Sequence, residues 1–163
     1  MSAQLTLRRY DPDDADRVWT VHERAMRAAP IEFVDDAPND RPLRHVRDHY
    51  LEAGGEFLVG LVDDTVVAIG GFQRDDASTC QLRHVRVDPA HQRRGYGTRL
   101  LSELEARARA DGFREAMLWT NERLSAARRL YEGNGYEETA RETHAESGHV
   151  VVQYRKSLES DQL

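Results

Sequence analysis

The run Val85-Arg86-Val87-Asp88-Pro89-Ala90-His91-Gln92-Arg93-Arg94-Gly95-Tyr96-Gly97-Thr98 has residue types whose order suggests anion chemistry. A β-branched stretch stops at Asp88-Pro89, passes through a basic turn with glycines, and feeds an amphipathic helix from about Thr98. Free backbone N–H groups then gather at a helix N-terminus, where the orphan donors and the helix dipole both favour negative charge. Gly95 and Gly97 let the main chain approach a phosphate with no Cβ in the way, and Arg93 and Arg94 add charge beside it. The run predicts a pyrophosphate cradle. No Gly-Lys-Ser/Thr follows, and the glycines miss the dinucleotide spacing, so neither familiar nucleotide loop applies.

The rest of the chain must position that loop. Its 163 residues suit one domain over 1–163 with a substantial core. No apolar run reaches the roughly 18 residues of a membrane span. The stretch Met1–Arg9 has no apolar signal segment, and the lone Cys80 suits a reducing compartment, so a cytoplasmic protein is expected. Cys80 falls inside a predicted strand and reads as buried and inert. The net charge of −6 is uneven, −7 over the first 80 residues and +1 over the remainder. With no basic face, nucleic-acid binding is not expected, and no membrane partner is implied. One lysine, Lys156, stands among 23 basic residues. This bias suggests a salt-adapted or GC-rich source.

A short strand is predicted over Leu5–Tyr10. A helix opened by Asp11-Pro12 follows, its first turn acidic and its apolar stripe carrying Val18, Trp19, Val21, His22, Ala25 and Met26. An acidic loop spans Pro30–Pro42, and a second helix Leu43–Ala53 stops at Gly54-Gly55. Strands are expected at Phe57–Val62 and Val66–Phe72, joined at Asp63-Asp64, and at Thr79–Val87 before the basic loop. A helix to about Ala110, a strand Glu115–Thr120, a helix Ser125–Glu132, and strands Tyr136–Glu142 and His149–Lys156 complete the chain. The order β-α-α-β-β-β-α-β-α-β-β makes an α/β fold, a mixed sheet flanked by helices. A last strand at an exchangeable edge would permit a homodimer.

Gln92-x-x-Gly95-x-Gly97 resembles the acetyl-CoA loop of the GCN5-related N-acetyltransferases, the GNAT family. A second segment agrees with it: Asn121, then Leu130-Tyr131 at a helix end, then Gly135-Tyr136. The motifs cover Cys80–Tyr136, and residues 1–75 match in topology only. The resemblance implies a splayed sheet in which the pantetheine arm pairs with main-chain groups near Val85 and Val87. Arg94, Gly95, Tyr96, Gly97 and Thr98 would hold the pyrophosphate, and a backbone N–H near Val85 would face the developing oxyanion. It further implies acetyl transfer from acetyl-CoA to an amine by direct attack in a ternary complex, with no metal. The acceptor is a small amine or a protein amine. A catalytically silent acyl-CoA sensor is the alternative, and a nucleotide-phosphate domain outside this family leaves Asn121 and Tyr131 unexplained.

By the same resemblance Tyr131 is the general acid for the leaving thiolate, although Ala127, Leu130 and Tyr131 also share a helix face on which Tyr131 can simply pack. Asn121 either bonds the pantetheine amides or caps the end of its strand. The chain departs from the family at Gln81, where many members carry a glutamate that draws a proton from the incoming ammonium. Glutamine is no base. His84 is the first substitute, since imidazole titrates in the useful range, but strand alternation puts it on the face opposite Gln81 unless a bulge intervenes. Glu32 and Asp35 of the acidic loop come next on the acceptor side, then His144 or bulk water. His45 and His49 lie four apart on a predicted helix with no third ligand in view, so a surface pair outweighs a metal site.

Overall fold

The computed structural model describes residues 4–30 and 38–159. The acceptor-side expectations Glu32 and Asp35 therefore lie outside the described residues. β1 (Thr6–Arg9) leads through a 3-10 turn, Pro12–Asp14, into α1 (Ala15–Arg27). Then come β2 (Glu56–Val62), β3 (Thr65–Arg74), β4 (Thr79–Val87), α2 (Tyr96–Ala110), β5 (Glu115–Asn121), α3 (Ser125–Gly133), β6 (Glu137–Thr143) and β7 (Val150–Ser157). Asp11 starts the first helical segment as a capping residue, accepting from the Asp13 N–H while Asp14 bonds back to the Asp11 N–H.

The strands form one seven-stranded sheet in the order β1-β2-β3-β4-β5-β7-β6. Every pairing is antiparallel except β4 with β5, which run parallel over only three residue pairs, Thr79–Glu115 to Gln81–Met117. β4 stays on β3 as far as Val87, and β5 stays on β7 as far as Asn121, so the two halves part beyond Gln81. β7 lies between β5 and β6. The edge expected of the last strand thus belongs to β6, all of whose residues are exposed.

Both faces of the central strands are buried, which explains their nearly continuous apolar sequence. Leu58, Ala68 and Phe72 turn to one face, under Leu100, Leu101 and Leu104 of α2 and Tyr131 of α3. Phe57, Val59 and Ile69 turn to the other, under Val18 and Val21 of α1 with Leu43, Val46 and Tyr50. The turn between β2 and β3 places Asp63 and Asp64 at φ 49° and 65°, the paired positive angles of a twisted two-residue hairpin.

The helix expected over Leu43–Ala53 is not regular. Residues Pro38–Arg44 form a 3-10 segment containing Pro42, and Arg47–Leu51 a single π turn. Pro42 supplies no N–H to continue a helical ladder through this segment. The wider turn still brings Leu43, Val46 and Tyr50 onto the α1 face.

On the α2 face, Glu105 is buried and receives the Tyr136 hydroxyl at 2.8 Å and the Lys156 ammonium at 2.9 Å. Cys80 is also buried there, and burial pushes its thiol up to about 12, in keeping with an inert residue.

Gly71 lies where β3 crosses the Glu56 carbonyl. A Cβ there would lie 2.6 Å from that main-chain oxygen and 2.7 Å from the Phe57 ring. Gly71→Ala is expected to destabilise the fold by about 1–3 kcal/mol through overpacking, seen as a lower midpoint in urea unfolding.

Candidate active site

Asp88 ends β4 and fixes the loop that follows. Its carboxylate accepts the Ala90 N–H at 2.9 Å and the Arg24 Nε–H of α1 at 2.7 Å. A 3-10 turn, Pro89–His91, and extended Gln92 bring the chain to Arg93 and Gly95, at φ 65° and 80°. No side chain caps α2, and its first backbone bond is Arg99 N–H to Gly95 O at 3.1 Å. The N–H groups of the first turn, from Tyr96 to Thr98, therefore precede the helix's own hydrogen-bond ladder.

The two glycines serve different ends. At Gly95 a Cβ would meet open space, so its left-handed φ is the constraint. At Gly97 a Cβ would lie 3.0 Å from Leu130, so that glycine admits α3 against α2.

A cavity of about 540 Å³ opens where β4 and β5 part. The C-terminal end of α1 walls it with Ala25, Met26 and Ala28; β4 contributes Val85, Arg86 and Val87; the loop and the start of α2 contribute His91–Arg93 and Gly95–Thr98; α3 contributes Leu124–Ala127 and Arg129–Tyr131. Arg86, Arg93 and Arg129 are among its lining residues. Tyr131 is buried against the rings of Tyr136 and Tyr154, with centroids 5.9 and 6.1 Å away. Burial raises its phenol above the ordinary 10.0, and the Arg86 charge draws it partly back.

His84 occupies a bulge. Across from β3, Ile69 pairs with Arg86 and Gly71 with Arg83, so His84 and Val85 share the single position opposite Gly70. His84 takes φ 57°. The extra residue resets the alternation: Val85 joins the α2-side core, while His84 turns to the α1 side. There its Nδ1 lies 2.6 Å from the Tyr50 hydroxyl and its Nε2 3.3 Å from Asp40. A carboxylate only accepts, so Nε2 donates to Asp40, and Nδ1 accepts from Tyr50. His22 of α1 reaches the other Asp40 oxygen at 3.2 Å. Burial works against the Asp40 charge, but the bonds from His22 and His84 together hold it well below the usual carboxylate range.

The other expected residues fall in different places. The Gln92 amide donates to Val87 O at 3.0 Å, and Thr98 accepts from Asn134 at 3.2 Å. Arg94 is exposed and is not among the cavity-lining residues. Asn121 accepts the Arg123 N–H at 2.9 Å, the strand-capping arrangement, and its amide lies 3.1 Å from His149. Gln81 stands opposite Gln73, whose amide bonds the His49 carbonyl on the α1 side, so Gln81 shares that side with His84. His144 is exposed in the β6–β7 connection. The His45 and His49 rings lie 6.2 Å apart, and among the described residues no group of three ligands could hold a metal. Arg86, Arg129 and the Tyr50–Asp40–His22 partners of His84 were not singled out as site residues in the sequence. Arg86 lies inside the quoted run, but only the bulge reveals which side its neighbours take.

A mixed sheet split at its one parallel pair thus carries a cleft whose wall includes the N-terminus of α2, with Gly95 offering no capping side chain. A family model for acetyltransferases of the GNAT family matches residues 18–136, and the chain belongs to that family. Among curated proteins, the mycothiol acetyltransferase of Amycolatopsis mediterranei is 40% identical over 85 residues. That match takes in 52% of this chain, which spans only 27% of that relative's length. A GNAT acetyltransferase from Staphylococcus aureus Mu50 superposes with TM-score 0.84 at 18% identity, covering 96% of this chain and 100% of that one. An acetyltransferase from Salmonella typhimurium, solved with its cofactor acetyl-CoA, gives 0.77 at 22%, covering 98% and 96%. At these identities the likeness bears on the fold. Among the described residues no helix is long and apolar enough to cross a membrane.

Burial pushes the His84 imidazole down from an ordinary 6.5 to about 4, with Arg86, Arg83 and His22 adding to the shift and Asp40 opposing it. Between those values the unfolded chain binds a proton that the folded chain refuses. Stability present above pH 6.5 is therefore lost as the pH falls toward 4. The urea midpoint should drop across that window, and His84→Gln should flatten the drop. An equal slope in both proteins would show that His84 does not govern it.

Proposed function

We propose that the chain works as one acyltransferase domain that moves an acetyl group from acetyl-CoA to an amine by direct attack in a ternary complex. One observation carries the reading: a single cavity joins the uncapped start of α2 to Tyr131 across the parted strands. The N–H groups of Tyr96, Gly97 and Thr98, with Arg93 beside them, fit a pyrophosphate. The acetyl-CoA- and CoA-bound structures of Salmonella typhimurium and Thermoplasma acidophilum relatives support the same ligand class. The carbonyls of Val85 and Val87, which here accept from Arg86 and Gln92, run along the gap as partners for pantetheine amides.

Acetyl-CoA supplies the activated thioester. The amine nitrogen attacks the carbonyl carbon, the carbon–sulfur bond breaks, and Tyr131 protonates the departing thiolate. A phenol with a raised pKa holds its proton at neutral pH and has it to give. The Val85 N–H is assigned to the developing oxyanion, where one preorganised donor contributes roughly 3–4 kcal/mol. Gln81 cannot take the ammonium proton. Both ring nitrogens of His84 are already engaged, by Tyr50 and Asp40. Proton release is therefore assigned to water, and His84 to holding the bulge.

Calorimetry with acetyl-CoA, alongside thiol release over a panel of amines, tests the proposal. Binding with amine-dependent release is the expected result. Binding without release would favour a silent sensor, and no binding would remove the cradle. Tyr131→Phe should lower kcat roughly 100-fold, at the low end for general acids, with little change in KM for acetyl-CoA. An unchanged kcat would take Tyr131 out of the chemistry. Gly95→Val forces a branched residue into left-handed backbone, at about 1–2 kcal/mol. It should weaken acetyl-CoA binding by roughly tenfold, while unaltered affinity would show that the loop does not touch the ligand.

A further inference from the structure

Most deeply buried charges in this protein have an opposite charge at hand. Asp14 has Arg8, Glu56 has Arg9 and Arg107, Asp88 has Arg24, and Glu105 has Lys156. Arg86 does not follow that pattern. It is half-buried on β4 and borders the cavity together with Met26 of α1 and Tyr131 of α3. Its Nη1 donates to the neighbouring Val85 carbonyl at 3.0 Å. Its Nε–H is buried with no acceptor, and no carboxylate lies within ion-pair distance among the described residues. An unmet buried donor is costly, and more so on a charged group. The charge is felt around it: burial raises the phenols of Tyr131 and Tyr50 and lowers the imidazole of His84, and Arg86 draws the phenols partly back and the imidazole further down.

Besides the exposed Arg129 of α3, the cavity thus holds two separate cationic stations. One is the start of α2 with Arg93, suited to phosphates. The other is Arg86, on the strand next to Val85. Resting on the transferase reading, we infer that Arg86 receives a carboxylate carried by the acceptor, which places the acceptor among amino-acid-like amines. A polyamine or an aminoglycoside would bring only positive charge to a guanidinium that has no counter-ion among the described residues. A carboxylate offers the Nε–H the acceptor it lacks and the guanidinium an opposite charge, in the forked geometry arginine favours. The small and flexible side chains of Ala25, Met26 and Ala28 along the facing wall leave room for a compact acceptor.

The experiment follows thiol release from acetyl-CoA with free amino acids, their methyl esters and a polyamine, for wild type, Arg86→Gln and Arg86→Lys. The wild type should favour acids over the matched esters by at least tenfold in kcat/KM. Arg86→Gln should collapse that ratio, chiefly by raising KM for the acids. Arg86→Lys should keep part of it, since the charge remains and the fork is lost. Equal use of acids and esters, or preference for the polyamine, would overturn the inference while leaving acetyl transfer standing. A fall in kcat shared by every acceptor would move Arg86 to the thioester instead. Acetyl-CoA binding with no release from any amine would overturn the transferase reading, and this inference with it.

Discussion

The parting of β4 from β5 after three residue pairs is the constraint on which the site depends. A strand in mid-sheet that loses its neighbour leaves main-chain groups to be satisfied by something else. Here the Val85 and Val87 carbonyls are met by the side chains of Arg86 and Gln92. The gap must also be held open. β3 keeps β4 as far as Val87, β7 keeps β5 as far as Asn121, and the Arg24–Asp88 pair ties the end of β4 to α1. The cavity is thus a property of sheet topology before it is a property of any side chain.

The bulge at His84 is the second determinant, and it acts through facing. By inserting one residue into β4, it moves His84 to the α1 side and sets Val85 into the α2-side core. A histidine at φ 57° is strained. Its contacts with Tyr50 and Asp40 anchor it there, and Asp40 is anchored in turn by His22 on α1. A buried polar chain so connected stiffens the strand on which the proposed chemistry rests.

Much of this was legible in the sequence where the governing physics is local. The Gly95–Gly97 loop announces a helix start, Asp63-Asp64 a tight hairpin, and the apolar runs the strands buried on both sides. The motifs near Tyr131 and Tyr136 located the α3 wall. What escaped was set by contacts distant in sequence. Asp40 sits 44 residues from the histidine it holds, and in the sequence it read as one more acid of a charged loop. The irregular turns of 38–51 arise as Leu43, Val46 and Tyr50 find the α1 face, past a proline. The bulge itself had no glycine to signal it, so neither the face of His84 nor the setting of Arg86 was readable in advance.

The Glu105–Lys156 pair has a consequence of its own. Lys156 carries the only ε-amine of the chain, and its nitrogen lies 2.9 Å from the buried Glu105 carboxylate and 5.5 Å from the centroid of the Tyr136 ring. A member of an acetyltransferase family thus keeps its one side-chain amine occupied by a carboxylate and packed against an aromatic ring. Amine-reactive labels would meet a single target among its side chains, however many guanidinium groups its surface displays.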